Sequence, residues 1–136
     1  MAYHYLYGIN WSINMKIDFE KLISGHKPVL VDFYTKPCKP CKAADPVLET
    51  VRESMGSRAK VIKIDVAKAP KYTEKYHIFN IPHLIIFVDG KEYWRHAGMV
   101  SAQHLIDLLE SAIQSPMIEN MAPYMLRYDL EDQEDD

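Results

Sequence analysis

Cys38 and Cys41 are the only cysteines in the chain, and just two residues separate them in the stretch YTKPCKPCKAADP at residues 34–46. Lys36, Lys39 and Lys42 surround them. A pair at this spacing is a working dithiol, half of a metal site, or a structural bridge. A structural zinc site needs four ligands, and the sequence has no second Cys-x-x-Cys. Histidines would have to complete the set. His83 is the best placed of them, while His4, His26, His77, His96 and His104 show no metal-ligand spacing. A bridge across so short a loop restricts the unfolded chain little, and a chain of 136 residues buries a core without one. The residues favour the dithiol and leave the other two readings open.

A dithiol needs one sulfur that ionises easily. Pro40 suits the first turn of a helix, where a missing N–H is not needed. The start of a helix carries unpaired N–H groups and partial positive charge, which favour an anion. Cys38 precedes that helix and is expected to be the exposed thiolate, with Cys41, one turn in, a protonated and half-buried thiol. Lowering a thiol pKa from about 8.5 to about 7 requires ~2 kcal/mol of preferential thiolate stabilisation, within reach of a helix terminus with lysines nearby.

The elements around the pair follow from pattern. VLVDFY (29–34) is an apolar run of β-formers, expected as a strand buried on both faces and interrupted by Asp32. A carboxyl buried there has a raised pKa. It is either a satisfied core acid or a base for Cys41. Ala43, Ala44, Val47, Leu48, Val51 and Met55 fall at helical spacing up to Gly56, with Pro46 expected to kink the helix. KVIKID (60–65) is a second strand, residues 69–78 a short helix and PHLIIFV (82–88) a third strand. Asp89-Gly90 is a hairpin turn and KEYWRHA (91–97) a fourth strand. In residues 101–114, Ser101 caps a helix with Leu105, Ile106, Leu108, Leu109, Ala112 and Ile113 on its apolar face. Residues 17–25 form a short helix, and residues 5–11 add a possible fifth strand. Strands separated by helices are expected to pair in parallel, and those flanking Asp89-Gly90 antiparallel. The fold class is α/β: a central mixed sheet of four to five strands with helices on both faces. The cysteines lie beyond a strand's C-terminal end, where such sheets place their working site.

Length and composition suit one soluble domain. Its span is 1–114, with 1–16 a lead-in or edge strand, followed by a C-terminal extension at 115–136. Six acids crowd the last eight residues, leaving 16 basic against 13 acidic residues in the body. That tail reads as a solvated segment, the alternative being an interaction arm. No apolar run approaches the ~18 residues of a membrane span. The N-terminus lacks a basic region followed by an apolar stretch. The expected location is cytoplasmic, where structural disulfides are rare.

VDFYTKPCKPCKAADPVLETV and YHIFNIPHLIIFVDGKEYWRHAG together resemble the two signatures of the thioredoxin family, over about residues 17–114. The resemblance implies the thioredoxin fold and a thiol–disulfide oxidoreductase that reduces protein disulfides. It makes Cys38 the nucleophile, Cys41 the resolving cysteine and Asp32 the buried acid that moves a proton. Pro46 matches the helix-kinking proline and Pro82 the cis-proline facing the dithiol. Ile81, Pro82, Pro37, Lys39 and Gly98 form the substrate-binding surface, and Ile81 is what the family's reductases tend to have before that proline. The implied cofactor is none beyond a redox-active Cys38–Cys41 disulfide. Partners are protein disulfides and a reductase as electron donor, with no metal, nucleic acid or membrane, and the chain acts as a monomer. Several positions depart from the family. Pro37 replaces a tryptophan and Lys39 a glycine. His83 stands where threonine is common. Val61 stands where a lysine partner for the buried acid is expected, leaving Lys60 or Lys63 to substitute. A binding module that engages a protein through the acidic tail and the Met-rich segment before it is the alternative function.

Overall fold

The run VLVDFY is flanked on both sides by backbone that pairs with it. In the computed structural model, which describes residues 19–114, it forms strand β1 (Val29–Tyr34). Before it comes helix α1 (Phe19–Ile23). After it come helix α2 (Lys39–Met55), a 3₁₀ turn (Gly56–Arg58), strand β2 (Lys60–Asp65) and helix α3 (Pro70–Lys75). Strands β3 (His83–Val88) and β4 (Lys91–Ala97) follow, and helix α4 (102–114) closes the described chain. The sheet order among the described residues is β2-β1-β3-β4. The expected strand at 5–11, the lead-in at 1–16 and the extension at 115–136 lie outside the described residues. No helix among the described residues is long and apolar enough to cross a membrane.

The alternation of each strand divides the core. Val29, Val31 and Phe33 pack with Ile62, Ile64, Ile85 and Phe87 against Phe19 and Ile23 of α1 and Tyr72 of α3. On the other face, Leu30 packs with Val61, Leu84 and Ile86 against Leu48, Val51 and Met55 of α2 and Leu105 and Leu109 of α4. Asp32 shares the face of Leu30, beneath α2, because residues two apart on a strand point the same way. Ala43, expected on the apolar face of α2, is exposed instead.

One expectation about the sheet is overturned. β1 and β2 pair in parallel, but β3 runs antiparallel to β1, with Phe33 opposite His83 and Val29 opposite Phe87. The connection explains it. A six-residue helix is about 9 Å long, whereas carrying the chain back along a six-residue strand takes roughly 20 Å. α3 therefore leaves the chain at the end of the sheet where β2 finished, and β3 starts from there. α3 is also shorter than the expected 69–78. His77 takes a left-handed φ of 55°, and the Ile78 N–H returns to the Thr73 carbonyl at 2.8 Å. That is a Schellman-type stop without a glycine. In the β3–β4 hairpin, Asp89 and Gly90 both have positive φ, as a two-residue turn with the twist of the strands requires.

Candidate active site

β1 ends at Tyr34, and the chain turns through Thr35–Pro37 into α2. Cys38 is the N-cap of that helix, with extended backbone (φ −81°, ψ 111°). Its sulfur accepts the Cys41 N–H at 3.1 Å, in the role usually taken by a serine or aspartate oxygen. The two cysteines are joined in a disulfide. Their exposures differ as the helix geometry dictates: Cys38 is half-buried, whereas Cys41 is only 1 % exposed. Lys36, Pro37, Lys39 and Lys42 are all exposed around them. The helix continues unbroken through Pro46, which has no N–H to give the carbonyl one turn back.

The antiparallel β1–β3 pair brings the start of β3 to the same end of the sheet. Pro82 is buried there, just before His83, and the Ile81–Pro82 bond is cis. Gly98, at the end of β4, donates its N–H to the Pro82 carbonyl at 2.7 Å with a φ of 89°. Ile81 is half-buried and rests on the α1–α3 core. The structure thus gathers Cys38, Cys41, Ile81, Pro82 and Gly98 at one end of the sheet, with Pro37 and Lys39 on the turn and helix start beside them. His83 is buried on the face opposite Asp32, and burial, then the nearby Arg95 charge, holds its imidazole below the usual range.

Asp32 is fully buried, and neither carboxylate oxygen has a hydrogen-bond partner among the described residues. Burial pushes its pKa up to about 7; the Lys63 charge opposes this rise and the Asp45 charge adds to it. Of the two lysines proposed to replace the missing one at Val61, Lys63 is the residue opposite Asp32 across β1–β2, while Lys60 pairs with Val29 at the far end. The Lys63 ammonium is bound by Asp45 at 2.6 Å and lies over the Tyr34 ring at 4.3 Å. Asp45, Lys63, Tyr34 and Cys41 line an open cleft of about 350 Å³. Sequence reasoning missed Asp45, although its position one turn after Cys41 places it on the same side of the helix. It also missed Phe79, which is 84 % exposed two residues before Ile81.

The site thus combines a cysteine pair at a helix cap, a buried acid under the same helix and a proline across the sheet end. The family model described as thioredoxin matches residues 11–111. The chain belongs to the thioredoxin family. Among similar thioredoxins, the chloroplastic thioredoxin Y of Oryza sativa subsp. japonica is 41 % identical over 95 residues, covering 70 % of this chain and 56 % of the relative. A thioredoxin-like protein of Synechocystis is 37 % identical over 94 residues, covering 68 % and 90 %. A solved mutant thioredoxin from Halobacterium salinarum superposes with a TM-score of 0.64 at 33 % identity, covering 71 % of this chain and 83 % of that one. The chain spans little more than half the length of the chloroplastic relative. The mixed sheet of the described residues, four strands with helices on both faces, is thus a thioredoxin fold.

Proposed function

We propose that this thioredoxin reduces protein disulfides by dithiol–disulfide exchange. The observation that carries the reading is the unequal burial of the bonded pair, with Cys38 reachable at the helix cap and Cys41 enclosed behind it. In the reduced protein, the Cys38 thiolate attacks one sulfur of a substrate disulfide. A Cys38–substrate bond forms, and the other substrate sulfur leaves as a thiolate that takes a proton from solvent. The Cys41 thiol then gives its proton to the Asp32 carboxylate, and its sulfur attacks the Cys38 sulfur. The mixed disulfide breaks, the second substrate sulfur leaves, and the Cys38–Cys41 disulfide forms. Two electrons have passed to the substrate. A reductase of dithiol type returns them, and Asp32 releases its proton. An acid poised near neutral pH suits both directions of that transfer.

Ile81, Pro82 and Gly98 offer backbone and a shallow apolar surface to an extended substrate segment, and Pro37 and Lys39 border it. The position of Ile81 just before β3 suits short strand addition by such a segment. The cycle suits a monomer in a reducing compartment, for which we propose the cytoplasm.

Insulin reduction by dithiothreitol tests the reading. The protein accelerates it, Cys38→Ser abolishes the acceleration, and Cys41→Ser accumulates a mixed disulfide visible by mass. Equal rates with wild type and both variants would remove the enzyme reading and leave a binding module.

A further inference from the structure

Lys63 faces Asp32 directly across the β1–β2 ladder, yet its ammonium is bound elsewhere. Asp45 reaches down from α2 and takes it at 2.6 Å, and the Tyr34 ring supports it from beneath at 4.3 Å. Asp32 keeps no ion-pair or hydrogen-bond partner among the described residues. The Asp45–Lys63 pair stands in the cleft that reaches Cys41. The side chain of Asp45 is half exposed and that of Lys63 about a fifth exposed, so the pair meets solvent on one side and the buried acid on the other.

We propose that Asp45 is a positioning residue: it holds the Lys63 ammonium at the cleft and away from Asp32, and so sets the pH at which Asp32 exchanges a proton with Cys41. The inference rests on the proposed role of Asp32 and adds the residue that tunes it. The charged and titratable groups on that side are Tyr34 from β1 itself, Lys63 and, opposite Tyr34, the buried Asp65 from β2, and Cys41, Lys42 and Asp45 from α2, with Lys36 from the turn between. Farther along α2, the buried Arg52 is bonded to Glu49 and to the Val61 carbonyl. β3 presents only Leu84 opposite Asp32, and α4 contributes apolar Leu105 and Leu109 to that face. Asp45 acts in two ways with one sign. Its own negative charge disfavours the ionised form of Asp32, and it denies Asp32 the nearest cation. Removing it lowers the proton affinity of Asp32 on both counts, whereas removing Lys63 raises it.

Carboxyl-carbon NMR titration of the oxidised protein, with wild type and Asp45→Asn, Lys63→Gln and Asp32→Asn, gives the test. Asp32→Asn identifies the resonance. Asp45→Asn is expected to move the Asp32 midpoint down by about one pH unit and Lys63→Gln to move it up by a similar amount, as opposite and like charges at this range do. Asp45 lies at the surface, so its neutral variant is expected to fold. The pH profile of mixed-disulfide resolution, followed with reduced protein and insulin, should shift in the same directions. An Asp32 midpoint unmoved by Asp45→Asn overturns the tuning role alone. A resolution profile unmoved by Asp32→Asn overturns the proton-transfer reading beneath it.

Discussion

Phe33 stands opposite His83 across an antiparallel pair of central strands, and that one register brings both halves of the site together. β1 leads out of Phe33 toward Cys38, and β3 is entered at His83 from Pro82. A parallel β3 would have left the proline at the opposite end of the sheet. Gly98 holds this corner through its bond to the Pro82 carbonyl.

Gly98→Ala tests the corner. A Cβ there meets nothing within 4 Å, so crowding is not the cost. The φ of 89° is the cost, because an L-residue in the left-handed region loses roughly 1–2 kcal/mol. Urea unfolding is expected to show that loss, together with slower insulin reduction as strain at residue 98 shifts its N–H off the Pro82 carbonyl. Unchanged stability would mean the backbone relaxes without strain.

Cys38 and Cys41 should differ sharply toward an alkylating agent. Cys38 is reachable and sits where the helix N–H groups favour a thiolate, whereas Cys41 is 1 % exposed. Iodoacetamide at neutral pH is expected to modify Cys38 of the reduced protein first and to leave Cys41 untouched, read by peptide mass. Equal labelling would contradict a helix-cap thiolate.

Asp32 links folding to pH in a direction opposite to most carboxylates. Its pKa rises from 3.8 in the free side chain to about 7 in the fold. Between those values the folded protein holds a proton that the unfolded chain releases, so stability falls as pH rises through that window and levels off above it. The penalty at pH 8 is on the order of 4 kcal/mol as an upper bound. Asp32→Asn is therefore expected to stabilise the oxidised protein clearly at pH 8 and hardly at all near pH 4, by urea unfolding at both. A variant destabilised at pH 8 would show that the carboxylate has a stabilising partner there.

Much of this site was legible in the sequence because its signals are local. Two cysteines with a proline between them mark a helix start, and a lone aspartate in an apolar run marks a buried acid. β1, β2 and β4 follow their apolar runs and turn residues residue for residue. What was illegible depends on elements far apart in the chain. An apolar run reports a strand but not its direction, so the reversal of β3 had to come from the shortness of α3. The early end of α3 rests on His77 in a conformation more often given to glycine or asparagine. The choice of Lys63 over Lys60, and its capture by Asp45, depends on register across β1–β2 and on the placement of α2 above it.

Among the described residues, Phe79 is the most exposed large apolar side chain. It is 84 % exposed, and its recorded ring contact among the described residues is with His77, at 6.2 Å. It lies two residues before Ile81, in the loop that leads to the proposed substrate surface. An exposed aromatic contributes little to folding, so Phe79→Ala is expected to change stability by no more than about 0.5 kcal/mol. Aromatic residues at interfaces contribute most when a partner covers them, and truncation then costs about 1–2 kcal/mol, roughly 5- to 30-fold in kcat/KM. The expected pattern is a loss of that size with insulin and none with a small aromatic disulfide, which needs only Cys38. The same loss on both substrates would place the effect on the dithiol itself. No loss on insulin would mean that protein substrates approach without touching this loop.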